Sequence, residues 1–169
     1  MGFLYTNSLG DNYYLHKGLT KKGNTKYWFS KKMDGDLVNS IPDNYEIYEE
    51  PNGMVYLRKI QPQIFSKQEI KTIESNIPKN LNYKIDTKKN IITIFLSEGL
   101  YSRYQPLMRF VLVDKKDRIF EAQRFCFKGS IDDWIELDSS EYLNKLANKC
   151  CTHLGKDSFY DLPYMVDGF

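Results

Sequence analysis

The first 60 residues alternate between apolar and polar positions in four short runs, a pattern typical of half-buried β-strands. Two turn signals separate the runs, namely the polar residues 19–25 with their Gly23-Asn24 pair and the sequence Pro51-Asn52-Gly53. The predicted strand pairs are residues 13–17 with 26–31, and residues 45–50 with 54–59. The alternation therefore predicts two β-hairpins.

The three-residue turn at Pro51-Asn52-Gly53 sets the register of the second hairpin, because proline begins a type I turn and Gly53 takes the left-handed conformation. The resulting pairs are Ile47 with Leu57, Tyr48 with Tyr56, and Glu46 with Arg58. In the first hairpin, alternation turns four side chains inward: Tyr13, Leu15, Tyr27 and Phe29. It turns four others outward: Tyr14, His16, Lys26 and Trp28.

The pattern after residue 60 begins with a helix. Ser66 and Glu69 have capping-box spacing, apolar residues follow at helical intervals, and Pro78 ends the helix. Alternating runs then predict a four-stranded antiparallel meander, with residues 133–137 as a short fifth strand. Asp138 is predicted to cap a second helix that closes at Gly155. Residues 107–113 are apolar on both sides except Arg109, which predicts a strand covered on both faces.

These elements predict an α+β protein. An N-terminal two-hairpin β module, residues 1–60, precedes an antiparallel four- to five-stranded meander flanked by two helices, residues 61–169.

Residues 12–32 hold six lysines and five aromatic side chains but no acidic residue. Lysines neutralise phosphates while flat rings stack on bases, so this composition favours a nucleic-acid interface. The second hairpin contributes outward rings and an arginine to the same predicted surface. The candidate binding residues are Tyr14, Lys17, Lys21, Lys22, Lys26, Trp28, Lys31, Tyr48, Tyr56 and Arg58.

Composition limits the partners and the compartment. The net charge is only +2, from 24 basic and 22 acidic residues, so any basic surface must be local. The longest apolar stretch is far too short to cross a bilayer, and the start of the chain lacks a signal-peptide pattern. Three cysteines without scaffold spacing indicate reduced thiols. We expect a cytoplasmic protein without a membrane partner; its oligomeric state stays open.

Signals for catalysis are weak. The two histidines, His16 and His153, are interpreted as surface or capping residues, and the helix dipole would favour a cationic His153. Cys150 and His153 have the spacing of a metal-ligand or nucleophile pair but lack further partners. A carboxylate cluster could hold a hard cation: Asp132, Asp133, Glu136, Asp138 and Glu141. We predict no cofactor, no metal and no catalytic residue.

Three strings along the chain are similar to an uncharacterised bacterial protein family. The first joins Tyr13-Tyr14-Leu15-His16-Lys17-Gly18 to Tyr27-Trp28-Phe29-Ser30. The second is Ile41-Pro42-Asp43-Asn44-Tyr45-Glu46-Ile47-Tyr48-Glu49, and the third runs from Arg124-Phe125-Cys126 to Asp132-Asp133-Trp134. Together with residues 153–159 they span most of the chain. The resemblance implies a bacterial cytosolic protein and implies no activity.

Three functional hypotheses follow from the sequence. The first is non-catalytic nucleic-acid binding by the basic and aromatic residues of the hairpins. The second is a protein-interaction or scaffold module that uses the same aromatic face, with the lysines on its rim. The third is a metal-dependent enzyme that uses the carboxylates around Asp132 and Asp133.

Overall fold

The computed structural model describes residues 2–99, 102–128 and 131–162; the side chains of residues 127, 128, 131 and 132 lie outside this description. Within these ranges the chain forms two α-helices and ten strands in antiparallel sheets, which confirms the α+β prediction. The chain divides into two compact units, Met1–Pro62 and Gln63–Phe169. That residues 1–60 and 61–169 are separate domains stays a prediction.

The first unit contains a three-stranded and a two-stranded sheet. Strands β1 (Leu4–Thr6), β2 (Asn12–Leu19) and β3 (Thr25–Ser30) form the first sheet, with β2 in the middle. Strands β4 (Tyr45–Glu49) and β5 (Val55–Lys59) form the second. The sequence pattern did not predict β1, because three residues are too few to establish an alternation.

Both hairpins of this unit direct the predicted side chains inward. Tyr13, Leu15 and Phe29 from the first sheet are buried in one cluster with Val55 from the second, and Leu57 packs against them. The second hairpin has the predicted register, with Tyr48 opposite Tyr56. Its turn is closed by the hydrogen bond from the Glu50 amide to the Met54 carbonyl at 2.9 Å, and Gly53 has a φ of +91°.

The second unit is built on a five-stranded antiparallel meander in the order β10-β9-β8-β7-β6. Its strands are β6 (Asn82–Lys88), β7 (Ile91–Ser97), β8 (Gln105–Asp114), β9 (Ile119–Lys128) and β10 (Ile131–Ser140). The fifth strand, predicted as five residues, has ten. A register shift between Glu136 and Asp138 lets β10 continue beside β9 beyond its predicted end.

Two helices, α1 (Lys67–Asn76) and α2 (Leu143–Cys151), pack on one face of this sheet. Their buried residues join one core with alternate residues of the strands, among them Phe110 and Phe120. The other side of β8 is less covered than the sequence predicts. Leu107, Arg109 and Val111 are only half-buried and Val113 is 52% exposed, so the prediction of cover on both faces is wrong.

The apolar outer side of β8 is instead shielded by neighbouring side chains. The guanidinium of Arg109 lies 4.2 Å from the centre of the Trp134 ring, and its Nε donates to Gln123 Oε1 at 2.6 Å. Trp134 in turn meets Phe125 edge-on. These contacts across three strands explain why a strand with few polar residues tolerates an open face.

The predicted Asp138 cap of the second helix is wrong. Asp138 lies within β10, α2 begins at Leu143, and Tyr142 occupies the cap position without a side-chain hydrogen bond. The Asp138 carboxylate accepts a hydrogen bond from Lys149 Nζ at 2.9 Å. An acidic residue that sequence spacing assigns to a helix start therefore links β10 to the last turn of α2.

The predicted capping box of α1 is confirmed. A distant arginine adds further hydrogen bonds to it. Ser66 Oγ accepts from the Glu69 amide at 3.1 Å, and Glu69 Oε1 accepts from the Ser66 amide at 3.0 Å. The Arg118 guanidinium, from the turn between β8 and β9, donates to Glu69 and to the Ile64 carbonyl. Burial alone raises the pKa of Glu69, but the hydrogen bonds from Arg118 and Ser66 bring it below its usual range.

Replacing Glu69 by glutamine is expected to lower the free energy of unfolding by about 1–2 kcal/mol near neutral pH, because the ion pair with Arg118 is lost and the hydrogen bond from the Ser66 amide loses its charged acceptor, although glutamine can keep the capping box. A carboxyl with a lowered folded-state pKa stabilises the fold above its unfolded-state pKa, and this contribution disappears as the pH falls through the folded-state value. Urea unfolding of both proteins from neutral to acid pH measures the difference.

The gap between the wild type and Glu69→Gln should therefore close in acid. Glu74→Gln, the same substitution on the same helix, is the matched control and should change stability little. A gap that stays constant down to strongly acid pH would contradict the role assigned to the Glu69 carboxylate.

Candidate nucleic-acid interface

Trp28 in β3 lies flat across the outer side of the first hairpin. Its indole stacks on the His16 ring with 5.5 Å between centroids and an angle of 13°, and Lys26 Nζ lies 5.1 Å from its centroid. Gly18 leaves room for the indole in this orientation, because a Cβ at residue 18 would lie only 2.9 Å from the indole Cη2. The indole remains 38% exposed, so an aromatic surface is presented to solvent.

His16 is buried, which corrects its interpretation as a surface residue. Only 4% of it is exposed, although it alternates outward on β2 as predicted. Residues 32–37 cover it: Nε2 lies 2.8 Å from the Lys32 carbonyl, and His16 pairs with Leu37 in an isolated bridge. Because a carbonyl only accepts, the Nε2 atom carries a proton, and the ring serves as a support for Trp28.

Four lysines lie at the distal end of this hairpin, and we call them the lysine tip: Lys17, Lys21, Lys22 and Lys26. All four are exposed, and no acidic side chain of the described residues forms an ion pair with them. The Lys17 amide donates to the Asp36 carbonyl at 3.0 Å, a backbone contact, and the Asp36 carboxylate forms no ion pair with Lys17 among the described residues. The tip is a local concentration of positive charge on a nearly neutral chain.

Lys31 differs from the lysine tip. Its Nζ lies 2.9 Å from Asp11 Oδ2 and 5.6 Å from the centre of the Tyr13 ring. Asp11 stands one residue before the acid-free segment, so the sequence count did not reveal this neutralisation. Lys31 therefore has less charge to offer a phosphate than the four lysines of the tip.

The predicted residues of the second hairpin form a separate group. Tyr48 and Tyr56 stack with 6.3 Å between centroids, and the Arg58 guanidinium lies 4.2 Å from the centre of the Tyr48 ring. Arg58 also donates to Glu46 at 3.0 Å, which offsets its charge. Tyr56 is 48% exposed and provides the accessible ring of this group.

The contacts thus divide the predicted residues between two patches on the outside of the first unit. The lysine tip with Trp28 combines an accessible ring with charges that have no ion-pair partner in the described part of the chain, whereas the patch of Tyr48, Tyr56 and Arg58 combines rings with a neutralised cation. Tyr14 is half-buried opposite Ser30 on the first sheet. A role of these residues in binding stays a prediction.

Two exposed apolar residues of the first sheet were not predicted from the sequence. Leu4 is 49% exposed and lies opposite Tyr14 on β1, and Leu19 is 68% exposed at the end of β2. Leu4 could not be assigned because β1 itself was missed. Leu19 was missed because the predicted strand ended at residue 17, whereas β2 extends to Leu19. A longer predicted strand would have placed Leu19 at the end of the hairpin that carries the lysine tip.

The thiols and the one histidine of the second unit offer little chemistry. All three cysteines are buried, and burial raises the pKa of Cys150 to about 12, so its reactive thiolate is disfavoured. His153 Nδ1 lies 2.8 Å from Ser158 Oγ. Burial, helped by Lys156, lowers the pKa of His153, which opposes the expected cation at the end of α2.

The carboxylates proposed for a metal do not form a cluster within the described residues. Asp133 and Glu136 are exposed on β10, and Asp138 is paired with Lys149; the Asp132 side chain lies outside the described residues. In the described part of the chain, no three His, Cys, Asp or Glu side chains lie together so that they could hold a metal ion.

Neither helix in the described ranges has the length and hydrophobicity needed to cross a bilayer. Comparison of the chain with protein-family models, curated proteins and solved structures finds no match. This outcome is consistent with the resemblance to an uncharacterised family.

Proposed function

We propose that the first unit binds single-stranded nucleic acid, in the cytoplasm, through the lysine tip and Trp28. One observation supports this more than any other: four exposed lysines, without ion-pair partners among the described residues, lie in the same hairpin as a partly exposed indole, and Lys26 Nζ is 5.1 Å from the centre of that ring. Phosphates and bases are the ligand groups that match ammonium ions and a flat ring together. The net charge of +2 makes binding weak and local.

The binding mechanism follows from the two sides of the indole. His16 holds one side, so Trp28 is already oriented and loses little freedom when a base stacks on it. Lys26 lies over the ring and is exposed, so its long side chain can move aside to a phosphate. One stacked base contributes roughly 1–3 kcal/mol, and four lysine contacts give a salt slope of about −3.

Titration of fluorescently labelled oligonucleotides tests this proposal. Single-stranded DNA and RNA should bind at low salt, and affinity should fall by about 50-fold between roughly 50 and 200 mM salt. Duplexes of the same sequence should bind less tightly, because their bases are not free to stack on the indole. No binding at low salt, or binding that ignores salt, would refute the proposal.

Replacing Trp28 by alanine is expected to weaken single-strand binding by about tenfold or more, since the stacking surface is removed while the lysines remain. Trp28→Phe should recover much of the affinity because it retains a ring. Tyr56→Ala removes an exposed ring from the other patch and serves as the matched control. Equal losses for the Trp28 and Tyr56 alanine variants would argue against a site centred on Trp28.

A protein-interaction module is the second candidate function, and the exposed apolar side chains of the first unit favour it. Leu4, Leu19 and Trp28 are each more than one-third exposed in the same hairpin sheet. Such residues often mark a partner surface with charge at its rim. Pull-down from a lysate with and without nuclease separates the candidates, since nucleic-acid-mediated partners disappear after digestion.

A further inference from the structure

The second unit has a cavity of about 850 Å³ at one end of its sheet. The start of β6, the end of β7, the start of β8 and the segment after α2 surround it. Leu81, Leu96 and Phe159 supply apolar surface to its lining. Its volume lies in the range of small-molecule sites, roughly 300–1,000 Å³.

The polar groups of this cavity suit a ligand with hydroxyl groups. Three amide side chains line it, those of Asn80, Asn82 and Gln105, and all three residues are exposed. An amide both donates and accepts hydrogen bonds, and so does a hydroxyl group. Several amides around one cavity therefore complement a polyhydroxylated molecule.

Charge argues against a strongly ionic ligand. The lining contains two cations, Arg103 and Lys156, and two anions, Glu98 and Asp157. Their formal charges cancel, so the cavity has no net charge to attract a polyphosphate or a polyamine. Ionised side chains still form strong hydrogen bonds with neutral hydroxyl groups.

Tyr160 provides an accessible ring at the cavity on a fixed backbone. The residue is 60% exposed, and its ring meets the buried Phe159 edge-on with 5.3 Å between centroids. Arg124, only 8% exposed, donates to the Tyr160 carbonyl at 3.1 Å and to the Leu162 carbonyl at 2.9 Å. The apolar C–H face of a sugar ring packs well on such a platform, and the anchored backbone limits the entropy lost on binding.

We propose that this cavity binds a neutral saccharide of one or two rings. The amides and charged side chains bond its hydroxyl groups, and Tyr160 packs against a ring face. This site is independent of the nucleic-acid interface proposed above, since every lining residue belongs to the second unit.

The test is an NMR titration of the isotope-labelled full chain with glucose, galactose, N-acetylglucosamine, maltose and cellobiose. Concentrations up to about 20 mM saturate a millimolar site. At least one sugar should cause saturable shifts in the backbone signals of the cavity residues. Tyr160→Ala should weaken binding of that sugar by about tenfold. Tyr142→Ala is the matched control, because Tyr142 is also 60% exposed but does not line the cavity.

A second variant, Gln105→Trp, should block binding by occupying the cavity from an exposed strand position that accepts an aromatic residue. Thermal unfolding of each variant checks that it remains folded. Three results would overturn the proposal: no saturable shift with any of the five sugars, equal effects of the two tyrosine substitutions, or tighter binding of glutamate or ATP to the same residues.

Discussion

Replacing Lys21 and Lys22 together by glutamate is expected to lower the affinity for a single-stranded oligonucleotide by about 50-fold at 50 mM salt. Both lysines lie in the turn between β2 and β3, are exposed and have no acidic partner among the described residues. Each lysine that contacts a phosphate of a single strand contributes about 0.7 to the salt slope, so the slope should become shallower by about 1.4. Fluorescence anisotropy over a series of salt concentrations measures both effects.

The matched control is Lys115→Glu with Lys116→Glu, in the turn between β8 and β9. These lysines are also exposed and adjacent, and the double substitution changes the net charge by the same amount. Affinity for the oligonucleotide should change by less than about threefold, because these residues lie outside the lysine tip. If the two double variants lose affinity equally, net charge governs binding and the lysine tip is not a site.

Replacing Arg124 by alanine is expected to lower the free energy of unfolding of the second unit by about 3 kcal/mol. The guanidinium is buried and bonds the carbonyls of Phe125, Tyr160 and Leu162. Its removal takes this donor from the buried Leu162 carbonyl and from two part-buried carbonyls, and it opens a space beside Phe159, whose ring it contacts. Arg124→Met keeps most of the side-chain volume but has no hydrogen-bond donor. We therefore expect it to lower the free energy of unfolding by about half as much as Arg124→Ala does.

Arg109→Ala is the control for this prediction, because Arg109 is on the neighbouring strand β8 but on the opposite, more open face of the sheet. The Arg109→Ala substitution should lower the free energy of unfolding by about 1 kcal/mol, mainly because the contact between Arg109 and Trp134 is lost. Denaturant unfolding followed by Trp134 fluorescence in a Trp28→Phe background reports on the second unit alone. An Arg124→Met variant as stable as the wild type would show that the hydrogen bonds to the 3-10 helix Asp157–Asp161 contribute nothing.

Local sequence patterns were sufficient to predict the structure where residues close together in the chain determine it. The register of β4 and β5 was predictable because the turn at Gly53 permits few alternatives, and the α1 capping box was predictable because its two partners are three residues apart. The antiparallel meander was likewise visible in its alternating runs. These features depend on neighbours along the chain, which the sequence shows directly.

Features that depend on distant residues were predicted less well. Alternation placed His16 outward, but residues 32–37 fold over it. Asp138 looked like a helix cap, but its strand continues past a bulge and its carboxylate binds Lys149. For the candidate site, the sequence identified the lysines and Trp28 but could not show that Asp11 neutralises Lys31 or that Glu46 neutralises Arg58.

The indole N–H signals test most directly whether Trp28 and the lysine tip contact single-stranded nucleic acid. The chain has two tryptophans, Trp28 in β3 and Trp134 in β10, so an NMR spectrum of the isotope-labelled protein has one indole signal from each unit. Addition of oligothymidylate at low salt should shift the Trp28 signal to saturation, and added salt should return it, while the Trp134 signal stays in place. A Trp28 signal that stays unchanged, or a shift confined to Trp134, would contradict the account.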